Sequence, residues 1–231
     1  MAPELVVVQG MRDTRLTLSR WNARPWATLG PWFGLAAAIC ATLLGSVLVI
    51  AHFSTPDPSG VLLPGLNEPA TLGGVGHILF RNSLVLALHS MACVAGFIAG
   101  SSLPMEAERY SGLWRWVHDK AGPLAICFVI AATTFSLFTQ AYALGHSAAT
   151  LAAQGHMSSA LLLVGILPHA IPELIGLFLP LAAWTIASRR GAWDELLAAT
   201  FVTTAIAIPI VVTAAFVEVY VSPHLILALR G

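Results

Sequence analysis

Long apolar stretches dominate the chain, and short polar segments separate them. A helix needs about 20 consecutive apolar residues to cross a hydrocarbon core of roughly 30 Å. The pattern predicts about five membrane-spanning helices, at approximately residues 31–52, 78–100, 123–144, 160–187 and 196–221. We therefore expect an all-α, polytopic transmembrane helical bundle over residues 30–225. A cytoplasmic N-terminal segment at 1–29 would precede it, and an external C-terminal tail at 226–231 would follow.

The fourth predicted span differs from the others because it is too long for a simple crossing and contains Pro168, Pro172 and Pro180. Each proline removes a backbone donor and crowds the preceding turn. The pattern predicts a proline-broken helix, either kinked or divided into a short half-helix and a second segment from near Pro168. Broken helices persist at membrane depth only where protein or a water-filled cavity covers the freed backbone groups. This span is therefore a candidate functional segment.

Basic residues alternate from one connector to the next. The segment before the first span holds four arginines, the connector at 104–122 holds three basic residues, and Arg189 and Arg190 follow the fourth span. The connectors at 53–77 and 145–159 hold no lysine or arginine. This positive-inside pattern predicts a cytoplasmic N-terminus and, after five crossings, an external C-terminus.

The composition agrees with a lipid environment. Hydrophobic residues make up 57% of the chain and charged residues only 10%, whereas a soluble domain carries about 25% charged residues. The 11 basic and 11 acidic residues cancel, so no global field indicates a nucleic-acid partner. The three cysteines lie in apolar stretches without a Cys-x-x-Cys pair, which is typical of packing residues.

Several polar side chains fall within the predicted spans, where an ionisable group costs about 2.5–3.5 kcal/mol on insertion scales. His169 and Glu173 are four positions apart, so a regular helix places both on one face. Taken with the helix directions, the pattern predicts a polar intramembrane cluster in the outer half of the bundle. Its principal members are Asn82, His169, Glu173 and Glu218, and its further contributors are Arg81, His89, Gln140 and His146.

Three interpretations of this cluster remain open at the level of sequence. The first is a buried network with Arg81 paired to Glu218 and His169 paired to Glu173. The second is a polar cavity or a proton or ion relay that serves transport. The third is ligation of a metal by His169, Glu173 and Glu218, or of haem by His89 and His169.

No motif decides among these interpretations. The chain has no metal-binding or nucleotide-binding signature and no nucleophile motif. The cofactor therefore stays unknown, no catalytic residue is assigned, and a role other than catalysis is favoured. An ATPase, if the protein uses one, would be a separate subunit.

Two further patterns bear on contacts. The segment 109–118 predicts a short helix along the inner membrane surface, with Trp114, Arg115 and Trp116 as a cytoplasmic interface; a partner-docking surface there is the alternative. Gly96 and Gly100 form a GxxxG pattern, which favours close packing inside the bundle over dimerisation.

Three motifs resemble the stage II sporulation protein M family, also called DUF95. The run at 167–176, Leu-Pro-His-Ala-Ile-Pro-Glu-Leu-Ile-Gly, is similar to the Pro-His-Gly-x-x-Glu-Leu segment of that family. Phe80-Arg-Asn-Ser resembles its Phe-x-Asn-Asn, and the run at 216–223 resembles its closing Ile-Glu-x-x-x-Ser-Pro. The order and spacing fit over roughly residues 76–225. By this resemblance the family-like positions are Asn82, His169, Glu173, Glu218 and Pro223. Ala170, Pro172 and Ser83 depart from the family pattern.

The resemblance implies a multi-pass protein of the cytoplasmic (inner) membrane of a prokaryote whose relatives work beside other proteins. Some take part in cell-wall remodelling during spore engulfment, and others accompany ABC-type export and self-immunity machinery. It implies a membrane subunit of a transport or envelope-remodelling assembly, with other membrane or ATPase subunits, or a second copy of the chain, as partners. The alternatives are a membrane metal- or haem-binding protein and a stand-alone proton-coupled secondary transporter with Glu173 as the carrier.

Overall fold

The structure is a computed structural model that describes residues 6–102 and 111–230. Almost all of these residues are helical, and the described ranges contain no β-strand. The α-helices are α1 (Val6–Ala23), α2 (Pro25–Phe53), α3 (Leu72–Phe97), α4 (Gly112–Gln154), α5 (Ser159–Arg190), α6 (Leu196–Tyr220) and α7 (Ser222–Leu229). A π-helical turn (Ile98–Ser102) extends α3, and a 3₁₀ turn (Trp193–Glu195) precedes α6. The predicted all-α fold is confirmed.

Within the described residues, five helical segments are long and apolar enough to cross a membrane, as the sequence predicts. They are Pro25–Phe53, Leu72–Gly100, Ile126–Gln154, Ser159–Arg190 and Trp193–Tyr220, with mean hydropathy between 1.5 and 2.4. The third differs from its predicted limits because α4 continues to Gln154 without a break. Hydropathy locates apolar stretches, whereas a helix ends only where its backbone hydrogen bonds end. The connector that was expected at 145–159 is therefore mostly helical.

Of the two alternatives expected for the fourth span, a kinked helix and a division near Pro168, the structure has a single helix without a division. Helix α5 runs unbroken from Ser159 to Arg190 through all three prolines. Each proline removes one backbone hydrogen bond from a helix, but an interruption within a membrane leaves several backbone groups without water as a partner. The continuous helix therefore leaves fewer backbone groups without a hydrogen bond than a divided helix would.

Two helices lie outside the predicted spans. The N-terminal segment forms α1, in which the exposed Met11 and Leu16 accompany its arginines, a composition typical of helices that lie at a membrane surface. The expected tail is also helical over most of its length, since α7 extends to Leu229. Ile226 of this helix is buried, and it packs where Gly165 of α5 leaves room for it.

The chain divides into two compact units. The first comprises Met1–Ala36, Leu86–Thr133 and Phe178–Ile206; the second comprises Ala37–Val85, Thr134–Leu177 and Ala207–Gly231. In the first unit, a Cβ atom at Gly96 would lie 2.7 Å from Trp184 Nε1, and one at Gly100 would collide with the ring of Trp193. The predicted use of these glycines for packing inside the bundle is confirmed.

Candidate functional site

Four of the predicted polar side chains come together in the second unit. Arg81 and Asn82 lie in α3, Glu173 in α5 and Glu218 in α6. The Asn82 amide faces the Glu173 carboxyl group, which also feels the repulsion of Glu218. Arg81 attracts Glu218 electrostatically, as the sequence led us to expect. Three membrane helices therefore contribute to one group, which we call the carboxylate cluster.

The carboxylate cluster is not fully paired. Oε2 of Glu173 and Nδ2 of Asn82 are buried, and neither has a hydrogen-bond partner in the structure. The two side chains interact but do not reach hydrogen-bonding geometry. Buried polar atoms in proteins nearly always have a partner, so each exception needs a reason. A small ligand that donates to Oε2 of Glu173 and accepts from Nδ2 of Asn82 would supply one.

His169 does not form the expected pair with Glu173. Its Nδ1 atom lies 2.6 Å from the hydroxyl oxygen of Ser222, and both residues are buried. Although His169 and Glu173 are one turn apart on α5, the partner of the histidine is the first residue of α7. Ser222 is thus a site residue that the sequence analysis missed. The signal for it was the Ser-Pro pair, since proline is favoured at the first positions of a helix, and Pro223 lies there in α7.

The loop between α2 and α3 packs beside this junction. Gly65 has a φ angle of +82°, and a Cβ atom there would meet the carbonyl oxygen of Val219 and the ring of Pro223. The amide of Asp57 donates a hydrogen bond of 3.0 Å to Oγ1 of Thr150 in α4. The loop is therefore fixed against α4 and against the α6–α7 junction that presents Ser222.

The other predicted contributors have partners outside the carboxylate cluster. Gln140 donates to the Ser136 hydroxyl over 3.0 Å, and His146 stacks on Tyr142. His89 belongs to the first unit, where its ring lies 5.6 Å from that of Phe178. It therefore does not share a unit with His169, its predicted partner in haem ligation.

The arrangement of possible metal ligands gives little support for a metal site. Within residues 6–102 and 111–230, no group of three or more His, Cys, Asp or Glu residues is placed to hold an ion. His169, Glu173 and Glu218, the candidates from sequence, do not converge because His169 turns to Ser222.

The predicted cytoplasmic interface falls at the start of α4. From Gly112 onward the segment expected to form a separate interfacial helix is instead the first turns of α4. Trp116 is exposed there. The side chains of Trp114 and Arg115, and residues 109 and 110, lie outside the described residues.

Comparison with known proteins gives one family. Residues 123–223 match the family model described as Stage II sporulation protein M. The match includes His169, Glu173, Glu218 and Pro223, whereas Arg81 and Asn82 precede it. No curated protein and no solved structure matches the chain.

Proposed function

We propose that this chain, over residues 123–223 a membrane protein of the Stage II sporulation protein M family, is the membrane subunit of a transport or envelope-remodelling assembly. Its partner would be an ABC-type exporter or similar machinery. In this proposal the carboxylate cluster is a cation-responsive site whose occupancy changes the packing of α3, α5 and α6.

The observation that supports the proposal is the buried, unpartnered Oε2 atom of Glu173. A structural network inside a membrane is expected to satisfy its polar atoms, because water cannot do so. This carboxyl group instead lies beside a second carboxylate, Glu218, and a half-satisfied amide, Asn82. Ionisable groups placed in this way within membrane helices are typical of ion and proton pathways.

The charges of the carboxylate cluster indicate what kind of ligand it takes. The carboxylate cluster holds two carboxylates and one guanidinium, which attracts Glu218, and His169 is engaged with Ser222. A surplus of one negative charge in a buried site demands a compensating cation. A proton or another monovalent cation beside Glu173 would balance the charge and give Oε2 its partner.

The lipid-facing surface supports a place in an assembly. Only 11% of the span in α4 is buried within the chain, compared with 50% of the span in α5. The helices that carry the carboxylate cluster are the more buried ones, with 39% for α3 and 33% for α6. The most apolar stretch of α4 is consequently covered least by the rest of the chain and leaves surface for lipid or for another subunit, and helices of partner subunits pack on such surfaces.

Native mass spectrometry of the chain, extracted from its own membrane in a mild detergent, tests the proposal. We expect the chain to retain an ATPase or a second membrane subunit. We also expect Glu173→Gln to alter the fraction of complex, whereas Glu68→Gln, in the exposed loop, should leave it unchanged. A chain that is always recovered alone would contradict the assembly.

A stand-alone proton-coupled secondary transporter is the second candidate, and the same unpartnered carboxyl group favours it. In that case purified protein in liposomes would drive substrate or proton flux without a partner. Glu173→Gln would abolish the flux and leave the fold intact.

A further inference from the structure

We propose that the first unit contains a binding site for an anionic phospholipid, with Arg190 as the cation that recognises the phosphate headgroup. The site shares no residue with the carboxylate cluster and is independent of the function proposed above. It is formed by a polar cavity and an apolar cavity that share two wall residues.

The polar cavity has a volume of about 150 Å³, several times the roughly 30 Å³ that one water molecule occupies in the liquid. It is therefore large enough for a headgroup phosphate. Its walls come from the end of α1, the first turns of α2, the last turn of α5, the 3₁₀ turn and the start of α6. The lining residues that matter here are Trp21, Thr28, Trp32, Arg190 and Glu195.

Arg190 is the cation that lines this cavity, and it has no ion-pair partner among the described side chains. The carboxylate in the cavity wall, Glu195, already has one: its Oε1 atom lies 3.7 Å from Nη1 of Arg20. Glu195 is therefore paired with Arg20, and the positive charge of Arg190 in the cavity wall remains. A guanidinium is well suited to bind phosphate because its N–H groups can donate to two oxygens at once.

An apolar cavity of about 350 Å³ adjoins the polar one and shares Trp21 and Thr28 with it. Most of its other walls are apolar, among them Leu18, Leu29 and Val202. A charged cavity joined to an apolar one fits an amphiphile with a phosphate head and a hydrocarbon chain. A soluble phosphate compound would leave the apolar part unused.

The position along the helices also favours a lipid. The cavity lies where α2 begins and α5 ends, which is the level of the headgroups for a membrane-spanning helix. Trp21 and Trp32 meet there edge to face with ring centroids 5.1 Å apart, and tryptophan is enriched at this level. Basic pockets between membrane helices bind anionic headgroups elsewhere.

Lipid titration followed by native mass spectrometry tests the site on the full chain in mild detergent. Phosphatidylglycerol is the anionic probe and phosphatidylcholine the zwitterionic one. We expect Arg190→Gln to weaken retention of the first phosphatidylglycerol by about fivefold or more, since one basic residue near an anionic surface contributes roughly 1 kcal/mol. Arg189→Gln removes a neighbouring charge that does not line the cavity, so it should bind like the unmodified chain.

Glu195→Gln gives a change in the opposite direction. It removes the carboxylate that lines the cavity and leaves Arg190 there as the charged side chain, so we expect tighter retention of phosphatidylglycerol, a gain that misfolding cannot produce. Equal loss in the Arg190 and Arg189 variants would overturn the proposal, as would equal retention of both lipids. Complete displacement of phosphatidylglycerol by millimolar inorganic phosphate would assign the site to a soluble anion instead.

Discussion

His169 and Ser222 are 53 positions apart, yet Nδ1 of the histidine lies 2.6 Å from the serine hydroxyl oxygen. This hydrogen bond joins the middle of α5 to the first residue of α7, next to Pro223 and close to Glu218. The histidine is thereby withdrawn from Glu173. The carboxylate cluster consequently lacks the histidine partner that one interpretation of the sequence gave to Glu173.

We expect Ser222→Ala to lower the free energy of unfolding by about 1–3 kcal/mol, because it leaves the buried His169 ring without a partner. The measurement is equilibrium unfolding of the purified chain in lipid nanodiscs. Ser59→Ala, in the exposed loop, is the matched control and should change stability by less. The variant His169→Ala and the double variant of His169 and Ser222 complete the cycle. If the double variant loses as much stability as the two single variants together, the hydrogen bond contributes nothing.

The two carboxylates should respond differently to neutralisation. Glu173 has a repulsive neighbour and no described ion pair, whereas Glu218 is attracted by Arg81. We therefore expect the Glu173→Gln variant to be more stable than the Glu218→Gln variant, with free energies of unfolding that differ by roughly 1–3 kcal/mol. Denaturant unfolding of both variants provides the measurement. The reverse order would show that Glu173 is the paired carboxylate of the two.

The close contact between Gly100 and the Trp193 ring in the first unit can be tested by substitution. We expect Gly100→Ala to destabilise the protein by about 1–3 kcal/mol, because the added methyl group must displace the Trp193 ring. Gly45→Ala is the control, since nothing lies within 4 Å of a Cβ atom there. The Gly45→Ala change should be neutral or should stabilise the protein by up to about 1 kcal/mol, because alanine is more favourable than glycine inside a helix. Thermal unfolding of both variants provides the measurement, and equal effects would contradict the contact.

Asp57, outside the membrane spans, gives a prediction about pH. Hydrogen bonds from the Ser59 hydroxyl and amide to Oδ1 lower the pKa of Asp57 below its ordinary value of 3.8. A lowered pKa stabilises the folded loop above pH 3.8, and this stabilisation disappears as the pH falls through the lower folded value. We expect carbon-13 NMR titration to show a higher Asp57 midpoint in Ser59→Ala than in the unmodified chain. An unchanged midpoint would contradict the role of the Ser59 hydroxyl.

The five spans could be predicted because hydropathy over about 20 residues depends on composition alone. The meeting of Asn82, Glu173 and Glu218 was also within reach, since helix direction gives each residue a depth. The partner of His169 could not be predicted, because the depth of a residue does not specify which way its helix face points. The Ser222 contact also depends on α7, an eight-residue helix that is too short for a hydropathy signal. The sequence left open whether α5 is continuous or divided, because proline propensity describes helices in water, where broken ends can be hydrated.

The attraction between Arg81 and Glu218 has a consequence for biogenesis. More than half of the chain is synthesised after Arg81 and before Glu218, which takes roughly ten seconds at common translation rates. During that interval the second span enters the translocon carrying a cation whose partner does not yet exist. A nascent chain that stops before α6 never receives that partner, so truncated products should be targets for membrane proteases while the full-length protein is not.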